Sequence, residues 1–293
     1  MLGQAIFDVL SKKHNVIGLC HKDFDVSDAN SWNLILKSIH KPDVIIHCAA
    51  YTQVDAAEVD TGNTLWETNV RSIHYLCDIC LKFNISLVYP QTFLILRDQF
   101  NPHSIDSQFI EPLSKYSKSK FEAEKIIIDR LPANKRMIIR LGGFFGGGPI
   151  LDKNFVGIFL KNILPNIIKA GKSQIFVGDR VWQPLWTNDI ANVIDWCIQN
   201  PWKEFYQYAT QDFTSFSDLS QAIIDILGIQ NIEIHQVVSN AITVAAPRPQ
   251  KIVMNSSEEF IRLNFVRPYK ENLEEYLLTS WLNYNPYDYI TSE

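Results

Sequence analysis

Two kinds of apolar pattern alternate along the first half of the chain. Val16-Ile17-Gly18-Leu19-Cys20, Val44-Ile45-Ile46-His47-Cys48-Ala49-Ala50, Ile85 to Tyr89 and Met137 to Leu141 are short and almost unbroken. Such runs predict strands covered on both faces, because a strand with one wet face would alternate. Between them, apolar residues recur at helical spacing in Leu2 to Leu10, in a stretch capped by Asp28 or Ser31 and running to Ile39, in Asn63 to Phe83, and in Lys115 to Asp129. Strands alternating with helices predict an α/β fold, a Rossmann-type doubly wound parallel sheet over residues 1–149. A glycine-rich turn, Gly142 to Gly148, follows its last strand.

Beyond Pro149 the regularity loosens. Phe155 to Ala170 reads as a helix that Pro165 should kink or break. Gln174 to Val177, Phe205 to Ala209 and Ile232 to Gln236 read as strands. Helices are expected from Asn188 or Asp189 to Gln199, from Ser217 to Leu227 with Ser215 or Ser217 as cap, and from Asn272 to Asn283. Residues 150–293 are therefore expected to form a smaller C-terminal substrate lobe, interleaved with the first domain and returning part of its chain to the sheet.

Composition adds mainly exclusions. A net charge of -5 without a basic block speaks against a nucleic-acid partner. No apolar run approaches the roughly 18 residues of a membrane span. Met1 to Leu10 does not read as a secretory signal, so a cytoplasmic location is expected. The five cysteines are odd in number and lie mostly in apolar runs. Cys77 and Cys80 have redox or zinc spacing, but on a helix with no second pair, so reduced thiols and no metal are expected.

Ligands of open parallel sheets bind beyond the carboxyl ends of the strands. Cys48-Ala49-Ala50-Tyr51, Thr92 and Gly142-Gly143 fall at those ends. Tyr116 and Lys120, four apart, share one face of the next helix. An ammonium beside a phenol favours the phenolate and lowers its pKa towards a range useful for proton transfer at a carbonyl. The same spacing also occurs on solvated helices. Thr92 also fits an ordinary loop threonine, Asn69 a water-facing helix position, and Ala49-Ala50 close packing of strand on helix.

The succession Asp25-Val26-Ser27-Asp28, Pro42 to Glu58 (with Ala49-Ala50-Tyr51-Thr52-Gln53-Val54-Asp55), Asn69-Val70, Tyr116/Lys120, Gly178-Asp179-Arg180-Val181-Trp182-Gln183-Pro184 and Ala246-Pro247-Arg248-Pro249 resembles the extended short-chain dehydrogenases, specifically the dTDP-4-dehydrorhamnose reductase family. The resemblance implies NADPH- or NADH-dependent reduction of a nucleotide-linked 4-keto-6-deoxysugar. It implies that Tyr116 donates the proton, Lys120 lowers the tyrosine pKa and holds the nicotinamide ribose, Thr92 polarises the keto group and Asn69 orders the relay. Cys48, Ala49, Ala50 and Tyr51 would line the cofactor trough, with Gly3 as the last glycine of the phosphate loop. Gly143, Asp179, Arg180 and Gln183 would face the substrate, although the last three also suit mutual pairing at the surface. Arg248, between two prolines, suits a diphosphate or the interface between lobes. A homodimer is the expected assembly. Two readings on the same fold compete: a non-catalytic protein resembling the methionine adenosyltransferase regulatory subunit, and a nucleotide-sugar epimerase or dehydratase.

Three departures from the family pattern stand out. The strand and first two glycines that precede Gly3 in the family are absent from this sequence, which points to a late start codon or a shortened gene and predicts poor dinucleotide binding, or none, by the chain as written. Pro90-Gln91-Thr92-Phe93 replaces a Ser-Thr-Asp stretch, and Gly142-Gly143 replaces a Ser-Trp pair near the sugar. After Val16 to Cys20, the family's second strand, His21-Lys22 stands where an acidic residue would favour NAD, and a basic pair suits the 2'-phosphate of NADPH.

Overall fold

The fold is described here from a computed structural model, which describes residues 1–293 except 39, 100, 108–109, 240–243 and 290–293. Four parallel strands form the principal sheet: β1 (Val44–Ile46), β2 (Ser86–Thr92), β3 (Arg136–Leu141) and, across from β3, β5 (Phe205–Tyr208). Their unbroken apolar runs are explained by burial on both faces. On β2 and β3, Val88, Met137 and Ile139 enter one core with helix α1 (Leu2–Leu10) and helix α5 (Thr187–Gln199). Leu87, Tyr89 and Ile138 point the other way, into a core with helices α2 (Ala29–Ser38), α3 (Ser72–Phe83) and α4 (Lys115–Arg130). This two-sided covering is the doubly wound arrangement expected. The second half adds a third core, where strand β4 (Gln174–Gly178) pairs in parallel with β6 (Glu233–Val237) beneath helix α6 (Phe216–Leu227) and helix α7 (Tyr269–Ser280).

Local chemistry sets several boundaries. Asp28 caps α2, accepting from the backbone N–H of Asn30 at 3.0 Å and of Ser31 at 3.2 Å. Ser215 rather than Ser217 caps α6, its Oγ accepting from Asp218 N at 3.0 Å. The helix expected from Asn63 to Phe83 is interrupted by a π turn, Glu67–Arg71, which carries Asn69. Pro165 neither breaks its helix nor stands alone as a kink. A second π turn, Phe159–Ile163, immediately precedes it, and Leu164–Lys169 continues as α-helix. Widening the turn redistributes the bonds to which proline cannot contribute.

The first strand read from the sequence is a correction. Val16 to Cys20 forms no strand, and Ile17 is 47% exposed and Leu19 39%. An apolar run becomes a strand only where a neighbour completes its ladder, and among the described residues nothing pairs with it or with the free edge of β1. Cys20 is accordingly exposed rather than buried; Cys77, Cys80 and Cys197 are buried free thiols. No described helix is long and apolar enough to cross a membrane.

Candidate active site

The start of α4 is fixed by its own sequence. Ser114 Oγ accepts from Ser117 N at 3.1 Å while Ser117 Oγ accepts from Ser114 N at 3.0 Å, a reciprocal cap worth about 1 kcal/mol. Glu58 adds a tether, its carboxylate accepting from Lys115 N at 2.7 Å and its carbonyl from Lys115 Nζ at 2.8 Å. Tyr116 therefore enters the first turn with little freedom.

Four consecutive residues at the carboxyl end of β2 then meet the same face of α4. The Tyr89 ring lies 4.0 Å beneath the Lys120 ammonium. Pro90 O accepts from Lys120 Nζ at 3.2 Å. Gln91 Nε2 donates to Lys120 O at 3.0 Å and to Glu124 Oε2 at 2.6 Å. The Thr92 hydroxyl accepts from Leu94 N at 3.2 Å and lies close enough to the Tyr116 phenol to lower its pKa. Asn69 joins from the π turn: its Oδ1 accepts from Tyr51 N at 2.7 Å, and its Nδ2 donates to Tyr51 O at 3.1 Å and Ser119 Oγ at 3.0 Å. The asparagine thus faces the interior, not water. Thr92, Tyr116, Lys120, Asn69 and Tyr51 are brought together around one strand end.

Electrostatics here differ from the sequence expectation. Burial pushes the Tyr116 phenol up to about 12, opposed by the Thr92 hydrogen bond; Lys120 is not among the groups that lower it. The ammonium is turned instead towards Tyr89 and Pro90. Its own pKa is lowered to about 7 by burial, against the pull of Cys48 and Glu124. The phenol is therefore a neutral donor at pH 7, and Lys120 is the group that titrates. Behind it His47, lowered by burial to about 3 and hence uncharged, stacks on Tyr89 with ring centroids 6.2 Å apart.

On the cofactor side, Ala49 is exposed and Ala50 and Tyr51 half-buried, so small side chains leave the end of β1 open. Gly3 lies in the first turn of α1, and a Cβ there would meet Cys48 Cβ at 3.4 Å, ordinary contact. His21 and Lys22 are exposed on the turn after Cys20. Lys120 donates to one carbonyl, which leaves two of its three N–H groups for other acceptors. Small side chains, an exposed basic pair and the free donors of Lys120 thus flank the open end of β1.

The residues expected to face the substrate divide into two groups. Gln183 spends its amide on backbone: Nε2 donates to Thr210 O at 2.8 Å and Met254 O at 3.2 Å, and Oε1 accepts from Met254 N at 2.6 Å. Asp179 accepts from Ser239 N at 2.8 Å and Gln250 Nε2 at 2.7 Å, which holds its carboxyl below the usual range. Arg248 forks onto Asp55 at 2.9 and 2.7 Å, joining the C-terminal loop to the segment after Tyr51. Among the described residues Arg180 Nε is buried without a partner, and burial together with the nearby Arg248 charge lowers its pKa. Gly142 and Gly143 are close-approach positions. A Cβ on Gly142 would sit 2.4 Å from Gln183 O, and one on Gly143 would sit 2.2 Å from the Trp182 ring. Trp182, stacked on Phe216, thus covers the strand end at which the two glycines stand.

Sequence reading missed Tyr89, Glu124 and Arg140 and treated Gln91 only as a departure. Glu124 was findable, since it continues the Tyr116–Lys120 spacing by one more turn. Its partner Arg140, on β3 at 3.0 Å, carries no local signal.

A doubly wound parallel sheet with a Tyr-x-x-x-Lys helix laid across one strand end defines an extended short-chain dehydrogenase fold. Within that class the chain belongs to the family described as the RmlD substrate binding domain, which matches residues 1–280. It is 27% identical over 258 residues to the dTDP-4-dehydrorhamnose reductase of Aggregatibacter actinomycetemcomitans, covering 83% of this chain and 82% of that one. Among solved structures it resembles a dTDP-4-dehydrorhamnose reductase from Clostridium acetobutylicum with a TM-score of 0.82, 24% identity and 94% coverage of each chain. The Bacillus anthracis dTDP-4-dehydrorhamnose reductase in complex with NADP gives a TM-score of 0.81 at 20% identity, covering 94% of this chain and 95% of that one.

Proposed function

We propose that this chain reduces the 4-keto group of a nucleotide-linked 4-keto-6-deoxysugar, as its curated relatives named dTDP-4-dehydrorhamnose reductase do. The observation that carries the reading is the meeting of β2 with α4, which sets a threonine hydroxyl against a neutral phenol one turn from an ammonium. NADPH, the bound cofactor of the Bacillus anthracis relative in its oxidised form, supplies the hydride when bound. Ala49, Ala50, Tyr51 and Lys120 hold its nicotinamide end, and Gly3, His21 and Lys22 its phosphates and adenosine.

The Tyr116 phenol gives its proton to the sugar oxygen as charge develops there. The Thr92 hydroxyl, close enough to lower the Tyr116 pKa, orients that oxygen and shares the developing charge. The Lys120 ammonium, held over Tyr89 and on Pro90 O, serves by gripping the nicotinamide ribose through its remaining N–H groups. Asn69 fixes Tyr51 and the Ser119 hydroxyl and so keeps the trough in register. Arg180 and Arg248, two neighbouring guanidiniums, receive the diphosphate; Asp179 and Gln183 hold the loops on which they stand, and Gly143 gives Trp182 room over the sugar site. The lobes divide at about residue 149, with the sugar nucleotide between them. The protein works in the cytoplasm as a homodimer, without nucleic-acid or membrane partners, in keeping with a net charge of -5.

The test is nicotinamide absorbance with NADPH and a dTDP-4-keto-6-deoxysugar. Turnover by the native chain at NADPH concentrations high enough to offset weak dinucleotide binding, and a loss of about 10²- to 10⁴-fold in Tyr116→Phe, are expected. Undiminished turnover in that variant refutes the role of the phenol. NADPH binding without oxidation by any nucleotide-linked keto sugar sinks the reductase reading.

A further inference from the structure

Behind the reacting side chains lies a buried polar cluster that takes no direct part in the chemistry above. Gln91, Glu124 and Arg140 are 2%, 2% and 6% exposed. Gln91 Oε1 accepts from Thr92 N at 2.8 Å. Its Nε2 donates to Lys120 O and to Glu124 Oε2, as above. Glu124 Oε1 in turn accepts from Arg140 Nη2 at 3.0 Å, and Arg140 Nη1 donates to Ile105 O at 3.2 Å. A single amide therefore touches the backbone of the threonine that meets the sugar oxygen and the backbone of the lysine that holds the ribose. Burying three polar side chains is costly unless they are satisfied. Among the described residues all the bonds named here are made, and of these three side chains Arg140 Nε alone lacks a partner. An apolar residue at position 91 would fill the space and leave Glu124 one donor short.

We propose that Gln91 is a positioning residue for the reaction, and that the Glu124–Arg140 pair behind it fixes α4 against β2 so that Thr92, Tyr116 and Lys120 converge. The cluster sets geometry through Gln91 and charge through Glu124, whose carboxylate lies one helical turn from Lys120. The residue at 91, which departs from the family's serine, is thus a built part of the site. This inference rests on the reductase reading for its kinetic readout only.

The test uses the full chain with two substitutions. Gln91→Met keeps the volume and removes both hydrogen-bonding ends. A fall in kcat of about tenfold to a hundredfold with KM for the dTDP sugar within about threefold is expected, because the misplaced groups act on the transition state. Glu124→Gln keeps the size and one acceptor oxygen and removes one charge. Acetylation of Lys120 by acetic anhydride across pH, read by mass spectrometry, should show its midpoint displaced downward by about half a unit or more, since a carboxylate favours the ammonium. The labelling needs no turnover: if the native chain reduces no keto sugar, the reductase reading fails while the labelling still decides the inference. A Gln91→Met enzyme with native kcat, or a Lys120 midpoint unmoved in Glu124→Gln, overturns it.

Discussion

Lys120 makes the pH profile of this enzyme a quantitative test. The ammonium is buried over the Tyr89 ring with one carbonyl acceptor, and its pKa falls to about 7. If catalysis requires the charged form, kcat/KM is level below pH 7 and falls above it. At pH 8 about one molecule in ten retains the charge and at pH 9 about one in a hundred, a tenfold loss per unit. Tyr116, pushed up to about 12, stays protonated over the same range and cannot produce this limb. Lys120→Arg places a cation that does not titrate at this position. It is expected to lower the plateau and to abolish the fall between pH 7 and 9. The assay is initial-rate NADPH oxidation at subsaturating sugar over pH 5.5–9.5, where the chain is folded by circular dichroism. An unchanged alkaline limb in Lys120→Arg, or a flat native profile to pH 9, refutes the reasoning. Stability is linked in the opposite sense. The folded pKa lies below the unfolded value of 10.5, so between about pH 7 and 10.5 the unfolded chain holds the extra proton and Lys120 makes stability rise with pH. Below about 7 its burial penalty is present in full.

Further expectations are independent of that titration. Thr92→Val removes the hydroxyl that lowers the Tyr116 pKa and should lower kcat by about 10²-fold in steady-state kinetics. Arg248→Ala breaks the fork onto Asp55 and frees that carboxylate beside Arg180, so KM for the nucleotide sugar should rise about tenfold or more with kcat within twofold. Ile17→Ser, in the exposed segment that pairs with no strand, should shift unfolding free energy by under about 0.5 kcal/mol. Val88→Ala, fully buried on β2, should cost several times that, about 1–3 kcal/mol by urea titration.

Much of this was legible because it is local. The runs at 44–50, 85–89 and 137–141 declared strands buried on both faces, and Asp28 and Ser215 declared helix starts through their side-chain oxygens. Tyr116 and Lys120 declared a shared face by spacing alone. What failed to show is non-local. Val16 to Cys20 is as apolar as β1, yet a ladder needs a partner strand that no composition reports. Arg248 and Asp55 meet across a separation of 193 residues, and Glu124 and Arg140 meet from a helix and a strand. The spacing that placed Lys120 beside Tyr116 also misled about charge. It fixes the helix face but not the rotamer, and the Tyr89 ring and the Pro90 carbonyl draw the ammonium away from the phenol. Gln91 was visible as an oddity, but its meaning lay in the fold.

The central claim is that Tyr116 and Thr92 deliver a proton to a sugar keto oxygen while hydride arrives at the same carbonyl. NADPH carrying deuterium on its transferable hydride, incubated with the chain and dTDP-4-dehydrorhamnose, tests it most directly. The account requires one deuterium at C4 of the product sugar by mass spectrometry and NMR, and its near disappearance in Tyr116→Phe. Product without deuterium at C4, or label transferred equally well by the variant, contradicts it.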